Sequence, residues 1–173
     1  MLIVLAVIVF GFMAVEARRA VRNERAQRLL GGVEPPSDVY AWMQIAYPGA
    51  FVAMLGEGAL RDATPPRIVL AAGVALFISG KALKWWAILT LGRFWTFRVI
   101  VLPGAALVER GPYRLFRHPN YVGVLGELVG VALLTGAFVA GPVATVLFGA
   151  LILKRVAVED RALGRGPGID RSV

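Results

Sequence analysis

Residues Tyr121–Leu153 read YVGVLGELVGVALLTGAFVAGPVATVLFGALIL, 33 positions with a single charge, Glu127. One straight helix of that length would measure roughly 50 Å at about 1.5 Å per residue. A bilayer's hydrocarbon core is only about 30 Å thick. Gly136, Gly141 and Pro142 stand at the middle of the run, where Gly and Pro punctuate helices. The stretch therefore predicts a tight hairpin of two short helices, about 121–136 and 140–154. A hairpin returns the chain to the side it left, so the polar segments flanking it share one membrane face.

Outward from the hairpin the pattern repeats. An apolar segment over about 1–16 runs into Arg18, Arg19, Arg22, Arg25 and Arg28. A secretory signal carries its positive charge before the apolar region, so this order predicts an uncleaved first span whose helix continues to Gly31-Gly32. Further spans are predicted over about 40–60, with Pro48 a kink, and over 67–91. Lys81 and Lys84 fall in the last turns of the latter and are expected to snorkel to the inner headgroups. The expected architecture is all-α, a polytopic membrane bundle of about five transmembrane helices forming a single domain over 1–173.

Composition agrees: 58% of residues are hydrophobic and 17% charged, against about a quarter charged in soluble domains, and the mean hydropathy is +0.70. The net charge of +8 reads as the basic ends of membrane helices, with no nucleic acid as partner. In the hairpin topology Arg61 and Arg67 lie outside with Asp62, and the other seventeen of nineteen basic residues, Arg165 and Arg171 among them, lie inside. An N-terminus outside and a cytoplasmic C-terminus follow. With no Cys and one His, no metal site is expected; chemistry falls to carboxylates, guanidiniums, aromatics, His118 and a bound cofactor.

Two polar segments meet across the hairpin. The first is Gly111-Pro112-Tyr113-Arg114 through Arg117-His118-Pro119-Asn120-Tyr121-Val122-Gly123; the second is Lys154-Arg155 through Glu159-Asp160. His118-Pro119 reads as an extended residue followed by Pro at the first helical position. The free N–H groups there, with Arg117 and Arg114 near, suit an anion. Arg155 and Glu159 are four apart on one helix face.

The combination of Arg117-His118-Pro119-x-Tyr121-x-Gly123 with Arg155-x-x-x-Glu159-Asp160 resembles the signature of the isoprenylcysteine carboxyl methyltransferase and phospholipid methyltransferase superfamily. Asp160 stands where that pattern has a second Glu. The stretch Leu91-Gly-Arg-Phe-Trp-Thr-Phe-Arg-Val-Ile-Val-Leu-Pro-Gly104 looks like the branch beside bacterial type III polyketide synthases that methylates alkylpyrones. The resemblance implies a membrane enzyme of the bacterial inner membrane that uses S-adenosyl-L-methionine at its cytoplasmic face, with a cofactor region over 92–123 and 154–163. It implies methyl transfer to a lipid-like small-molecule acceptor.

It further implies that Tyr113, Arg117, His118, Pro119, Tyr121, Gly123, Glu159 and Asp160 form the cofactor site. Arg155 would orient the acceptor or pair with Glu159. Phe94, Trp95, Phe97 and Arg98 would wall the acceptor or the adenine. Gly126 and Gly130, four apart, read as helix packing. Glu127 lies roughly 13 Å past His118 along a helix, alone at that depth among the expected spans. A lone carboxylate there costs at least about 2.5–3.5 kcal/mol, so it is expected either protonated against a neighbouring helix or, by preference, facing a substrate cavity as a catalytic or acceptor-binding group. Two other classes stay open: an NADPH-dependent membrane reductase of related architecture, and a non-enzymatic membrane subunit, which would show polar pairs facing each other across spans.

Overall fold

The computed structural model describes residues 1–36, 38–61 and 64–164; Asp62, Arg165 and Arg171 of the charge count lie outside the described residues. Five helices carry the chain: α1 (Leu2–Leu29), α2 (Tyr40–Arg61), α3 (Arg67–Leu91), α4 (Pro119–Thr135) and α5 (Ala140–Ala162), with short 3₁₀ turns at Gly92–Phe94 and Gly111–Arg114. Among the described residues there is no strand; one isolated antiparallel bridge joins Val33 and Val101 through two 2.9 Å bonds.

The apolar run folds back on itself. His118 is the N-cap of α4 and Pro119 its first residue, while Gly136, at φ +66°, takes the left-handed conformation that ends it. Glycine alone adopts that geometry without strain. The N-terminus of α5 then meets Glu57 of α2, whose carboxylate accepts the N–H groups of Val139 at 3.1 Å and Ala140 at 2.6 Å. A carboxylate at a helix N-terminus satisfies orphan donors and opposes the positive end of the dipole. The turn of the hairpin is thereby tied to the end of α2.

Helices α3 and α4 approach closely because small residues face each other. A Cβ on Gly80 would lie 2.7 Å from the Gly123 carbonyl oxygen, one on Gly123 2.7 Å from that of Gly80, and one on Gly130 2.7 Å from the Phe77 backbone nitrogen. Around this seam lies an apolar core that includes Phe51, Met54, Leu128, Val131 and Phe148.

The residues 67–94 and 140–162 form helical stretches long and apolar enough to cross a membrane, and only 28% of the most apolar window of each is buried within the chain. Ile78, Leu89, Val146 and Leu147 are all more than half exposed. A soluble protein would cover such faces; lipid covers them without penalty.

The two lysines of α3 overturn the expectation of snorkelling. Lys81 and Lys84 are 7% and 2% exposed, and Glu16 of α1 and Glu127 of α4 are 1% and 2%. Lys81 Nζ donates to Glu16 at 3.2 Å and to Glu127 at 2.8 Å; Lys84 Nζ donates to Glu16 at 2.7 Å. The Tyr47 hydroxyl of α2 donates to Glu127 at 2.6 Å. Glu127 is therefore not alone at its depth. Two carboxylates at the level of two ammoniums make pairing less costly than reaching for distant headgroups, because an unpaired charge in this medium carries the full desolvation penalty.

Gly130→Ala should lower the thermal midpoint of the detergent-solubilised protein by the equivalent of about 1–3 kcal/mol, the usual cost of overpacking. Gly149→Ala, where an added Cβ meets nothing within 4 Å, should leave it unchanged; equal midpoints for both variants would show that the α3–α4 seam is not tight.

Candidate active site

The hairpin sets the start of α4 beside the end of α5. His118 Nε2 lies 3.2 Å from Asp160 Oδ1, and His118 Nδ1 lies 3.6 Å from Glu159. The His118 and Tyr121 rings stack at 5.8 Å. The Tyr121 hydroxyl donates to Glu159 at 3.0 Å and accepts from Arg155 Nε at 3.3 Å. One turn of α5 and the first turn of α4 thus form a continuous chain from Asp160 through His118, Glu159 and Tyr121 to Arg155.

Burial opposes charging of His118, but Glu159 and Asp160 together outweigh it and hold its pKa above the ordinary value of 6.5. The Tyr113 hydroxyl, buried and near Glu159, has its pKa pushed up and stays protonated.

Arg155 does not pair with Glu159. Its Nη1 meets Asp38 and its Nη2 the Phe97 carbonyl oxygen. Asp38 also accepts the N–H of Tyr40 at 3.0 Å and of Val99 at 3.0 Å, so one carboxylate starts α2, holds the segment after α3 and neutralises Arg155. Asp38 was not among the expected site residues, although an Asp two residues before a helix start is a capping signal. The same segment is held by α1: Glu24 accepts the N–H groups of Phe97 at 3.1 Å and Arg98 at 3.2 Å, and Asn23 donates to the carbonyls of Gly92 and Trp95.

Two cavities open around this cluster. The more polar one, of about 180 Å³, is lined by Tyr113, His118, Glu159 and Arg98 together with aliphatic residues of the 99–108 segment. An apolar groove of about 460 Å³ runs between α1, α2, α4 and α5, past Phe10, Met13, Met43, Phe97, Val124 and Phe148. Trp95, Thr96, Asn120, Tyr121 and Arg155 line both. Of the remaining residues singled out in the sequence, Phe94 lines the polar cavity. Arg117 is exposed, with its guanidinium 3.8 Å from Asp160. Pro119 is buried in the helix start and Gly123 is turned toward α3; neither lines a cavity. Arg98 pairs with Glu34 at 2.7 Å and lies over the Tyr40 ring at 4.7 Å. Glu127, expected by preference to face a cavity, lies on the wall of neither; its charge is taken up by Lys81 and Lys84.

A helical bundle with apolar faces turned outward, and a buried charged cluster between two cavities, defines an integral membrane protein. The chain belongs to the isoprenylcysteine carboxyl methyltransferase (ICMT) family, whose model matches residues 73–165, more than half of its length. It is 29% identical over 150 residues to the "Uncharacterized protein YpbQ" of Bacillus subtilis, covering 87% of this chain and 89% of that one. It is 31% identical over 103 residues to protein-S-isoprenylcysteine O-methyltransferase A of Arabidopsis thaliana, covering 56% of this chain and 50% of the plant protein. A probable enzyme of the same name from Oryza sativa subsp. indica is 35% identical over 94 residues, 51% of this chain and 47% of the rice protein. The chain thus spans about half the length of these plant relatives. No solved structure matches it.

Because the chain has one His, histidine-labelled protein gives a single imidazole signal by NMR. Its titration midpoint should lie above 6.5 and fall in Asp160→Asn. The sign follows from linkage: stability contributed by charged His118 is fully present below about pH 6.5 and is lost as pH rises through the higher folded value. A midpoint at or below 6.5 in the parent would show that burial wins over the two carboxylates.

Proposed function

We propose that the chain is an S-adenosylmethionine-dependent methyltransferase acting on a carboxylate or hydroxyl of a hydrophobic, lipid-like acceptor at the cytoplasmic membrane face. The observation that carries this reading is the meeting, at Tyr121 and Arg155, of a cavity that bears His118 and Glu159 with an apolar groove. A reaction between a charged nucleoside and a greasy acceptor needs two such compartments sharing one wall. The family membership, with plant relatives named as isoprenylcysteine O-methyltransferases, points the same way. Acceptors of the isoprenylcysteine or alkylpyrone type both suit the groove.

The residues of the polar cavity fit this donor. Glu159 suits its ammonium or ribose hydroxyls, the start of α4 with His118 its carboxylate, and Trp95 and Phe94 its adenine; Asp160, outside the cavity wall, acts on the donor through His118. When bound, S-adenosylmethionine supplies an electrophilic methyl group on a sulfonium. The chain's work is alignment, which can supply about 7–11 kcal/mol of the barrier. Tyr121 and Glu159 fix the donor side of the shared wall. Arg155, with Nε and one N–H of each Nη engaged, retains two further N–H groups to hold the acceptor oxygen on the other. A hydroxyl acceptor must also lose a proton, and the carboxylates of the cluster are the nearest bases.

A cavity of about 180 Å³ is smaller than the roughly 300–1,000 Å³ of ligand sites. Seating a nucleoside therefore requires the 99–108 segment that covers it to move outward. In the membrane we place all five helices as spans, the N-terminus outside and the C-terminus in the cytoplasm of a bacterial cell, with the cluster at the inner face. A second reading has one observation in its favour: the paired charges across α1, α3 and α4 are what a non-enzymatic membrane subunit would carry.

Isothermal titration of the detergent-solubilised protein with S-adenosylhomocysteine decides between the two. Saturable binding is expected, with affinity at least tenfold weaker in His118→Ala and Glu159→Ala and methyl transfer lost with it. Absence of binding to well-folded parent, or full retention in both variants, would defeat the donor-site reading. Hydrogen exchange over residues 99–108 should change when the same ligand is added.

A further inference from the structure

The charged network of Glu16, Lys81, Lys84, Glu127 and Tyr47 is not sealed within the bundle. Glu16, Lys84 and Tyr47 stand on the wall of the apolar groove. Of the two lysines, Lys84 is the one on the groove wall, and two of its three polar neighbours are distant. Its ammonium has one short bond, to Glu16 at 2.7 Å; its other neighbours are the Tyr47 hydroxyl at 3.4 Å and Glu127 Oε1 at 3.6 Å. Glu127 Oε1 is in turn buried with no hydrogen-bond partner among the described residues. An ammonium has three donors, and two of those of Lys84 meet only these long contacts, at 2% exposure, on a surface that is otherwise largely hydrocarbon.

Position along the helices gives this polar spot a measure. Tyr121 to Glu127 is six residues of α4 and Arg155 to Phe148 is seven of α5, while the Tyr47 and Phe148 rings lie 5.1 Å apart. At about 1.5 Å per residue both spacings place the spot roughly 9–10 Å deeper than the Tyr121–Arg155 wall. A plain hydrocarbon chain lying in the groove would face a weakly bonded ammonium there and gain nothing from it.

Resting on the reading above that the groove takes the acceptor, we propose that Lys84 and Tyr47 select an acceptor whose chain carries a second oxygen, a hydroxyl or carbonyl roughly 10 Å from the methylated group. Lys84 turns one N–H from a long contact to that oxygen, with Tyr47 beside it. Glu16 and Lys81 hold Lys84 in place and keep the network neutral.

The test uses two probes of equal length, hexadecanoic acid and its mid-chain hydroxy analogue, titrated into the full-length detergent-solubilised protein saturated with S-adenosylhomocysteine. The hydroxy acid should bind at least tenfold more tightly to the parent, as one charge-assisted hydrogen bond in a dry site provides. That preference should fall to near unity in Lys84→Met combined with Glu16→Gln, which preserves neutrality, and shrink in the milder Tyr47→Phe. Binding of S-adenosylhomocysteine, measured separately, should be unaltered in Tyr47→Phe. Equal affinity of the two acids for the parent, or a preference that survives in both variants, overturns the inference while leaving the donor site standing. A parent that binds no S-adenosylhomocysteine defeats the reading of the groove and this inference with it.

Discussion

A charge in an apolar bundle must find its counter-charge at its own depth. Lys81 and Lys84 do so with Glu16 and Glu127, and the positions of α1, α3 and α4 follow from that requirement. Sliding any of these helices by one turn would move a charged group by about 5.4 Å and strand it in hydrocarbon. Such a network contributes little net stability compared with a packed apolar core, since desolvation of four ions consumes most of the Coulombic gain. It does impose register. Between helices otherwise lined with interchangeable aliphatic side chains, that is the property a functional site needs.

The second constraint is the backward fold of the apolar run. Glu57 and Gly136 fix the turn at the end remote from the cluster, and the Gly80–Gly123 and Gly130–Phe77 contacts hold α4 against α3. His118 and Asp160, 42 positions apart, then come within 3.2 Å. On the other flank, Asp38 links the start of α2, the Val99 backbone and Arg155. The guanidinium is held by partners on three of its edges before any ligand arrives, the kind of support that keeps a side chain aligned.

Helix positions and the hairpin were legible in the sequence because they depend on a segment's own hydropathy, on Pro119 at a helix start and on Gly136 at a helix end. The juxtaposition of His118, Tyr121 and Glu159 was legible too, since a hairpin leaves little freedom in where its two ends lie. The fate of Lys81, Lys84 and Glu16 was not. Hydropathy of α3 shows two lysines near an end and cannot show that α1 and α4 each bring a carboxylate to the same level. Glu127 consequently looked solitary. Asp38 escaped for a related reason: its role lies in what it touches 117 residues away, and a local pattern reads only as a cap.

The apolar groove has its origin in α1. The buried face of that helix is Leu5, Val9, Glu16, Ala20, Asn23 and Gln27, a helical stripe whose composition turns from apolar to polar midway. Through the polar half, α1 is attached by directed bonds: Glu16 to the lysines, Asn23 and Gln27 to backbone carbonyls after α3, Glu24 to backbone N–H groups. A stripe of Leu and Val would have closed onto α2 and α4, because apolar side chains interdigitate until the space is filled. Directed bonds of fixed length hold α1 at a stand-off instead. The gap that remains is lined by Met13, Met43 and Phe148, and it ends at Arg155, which also borders the other cavity. The polar face of α1 is therefore what leaves the groove open in this membrane bundle.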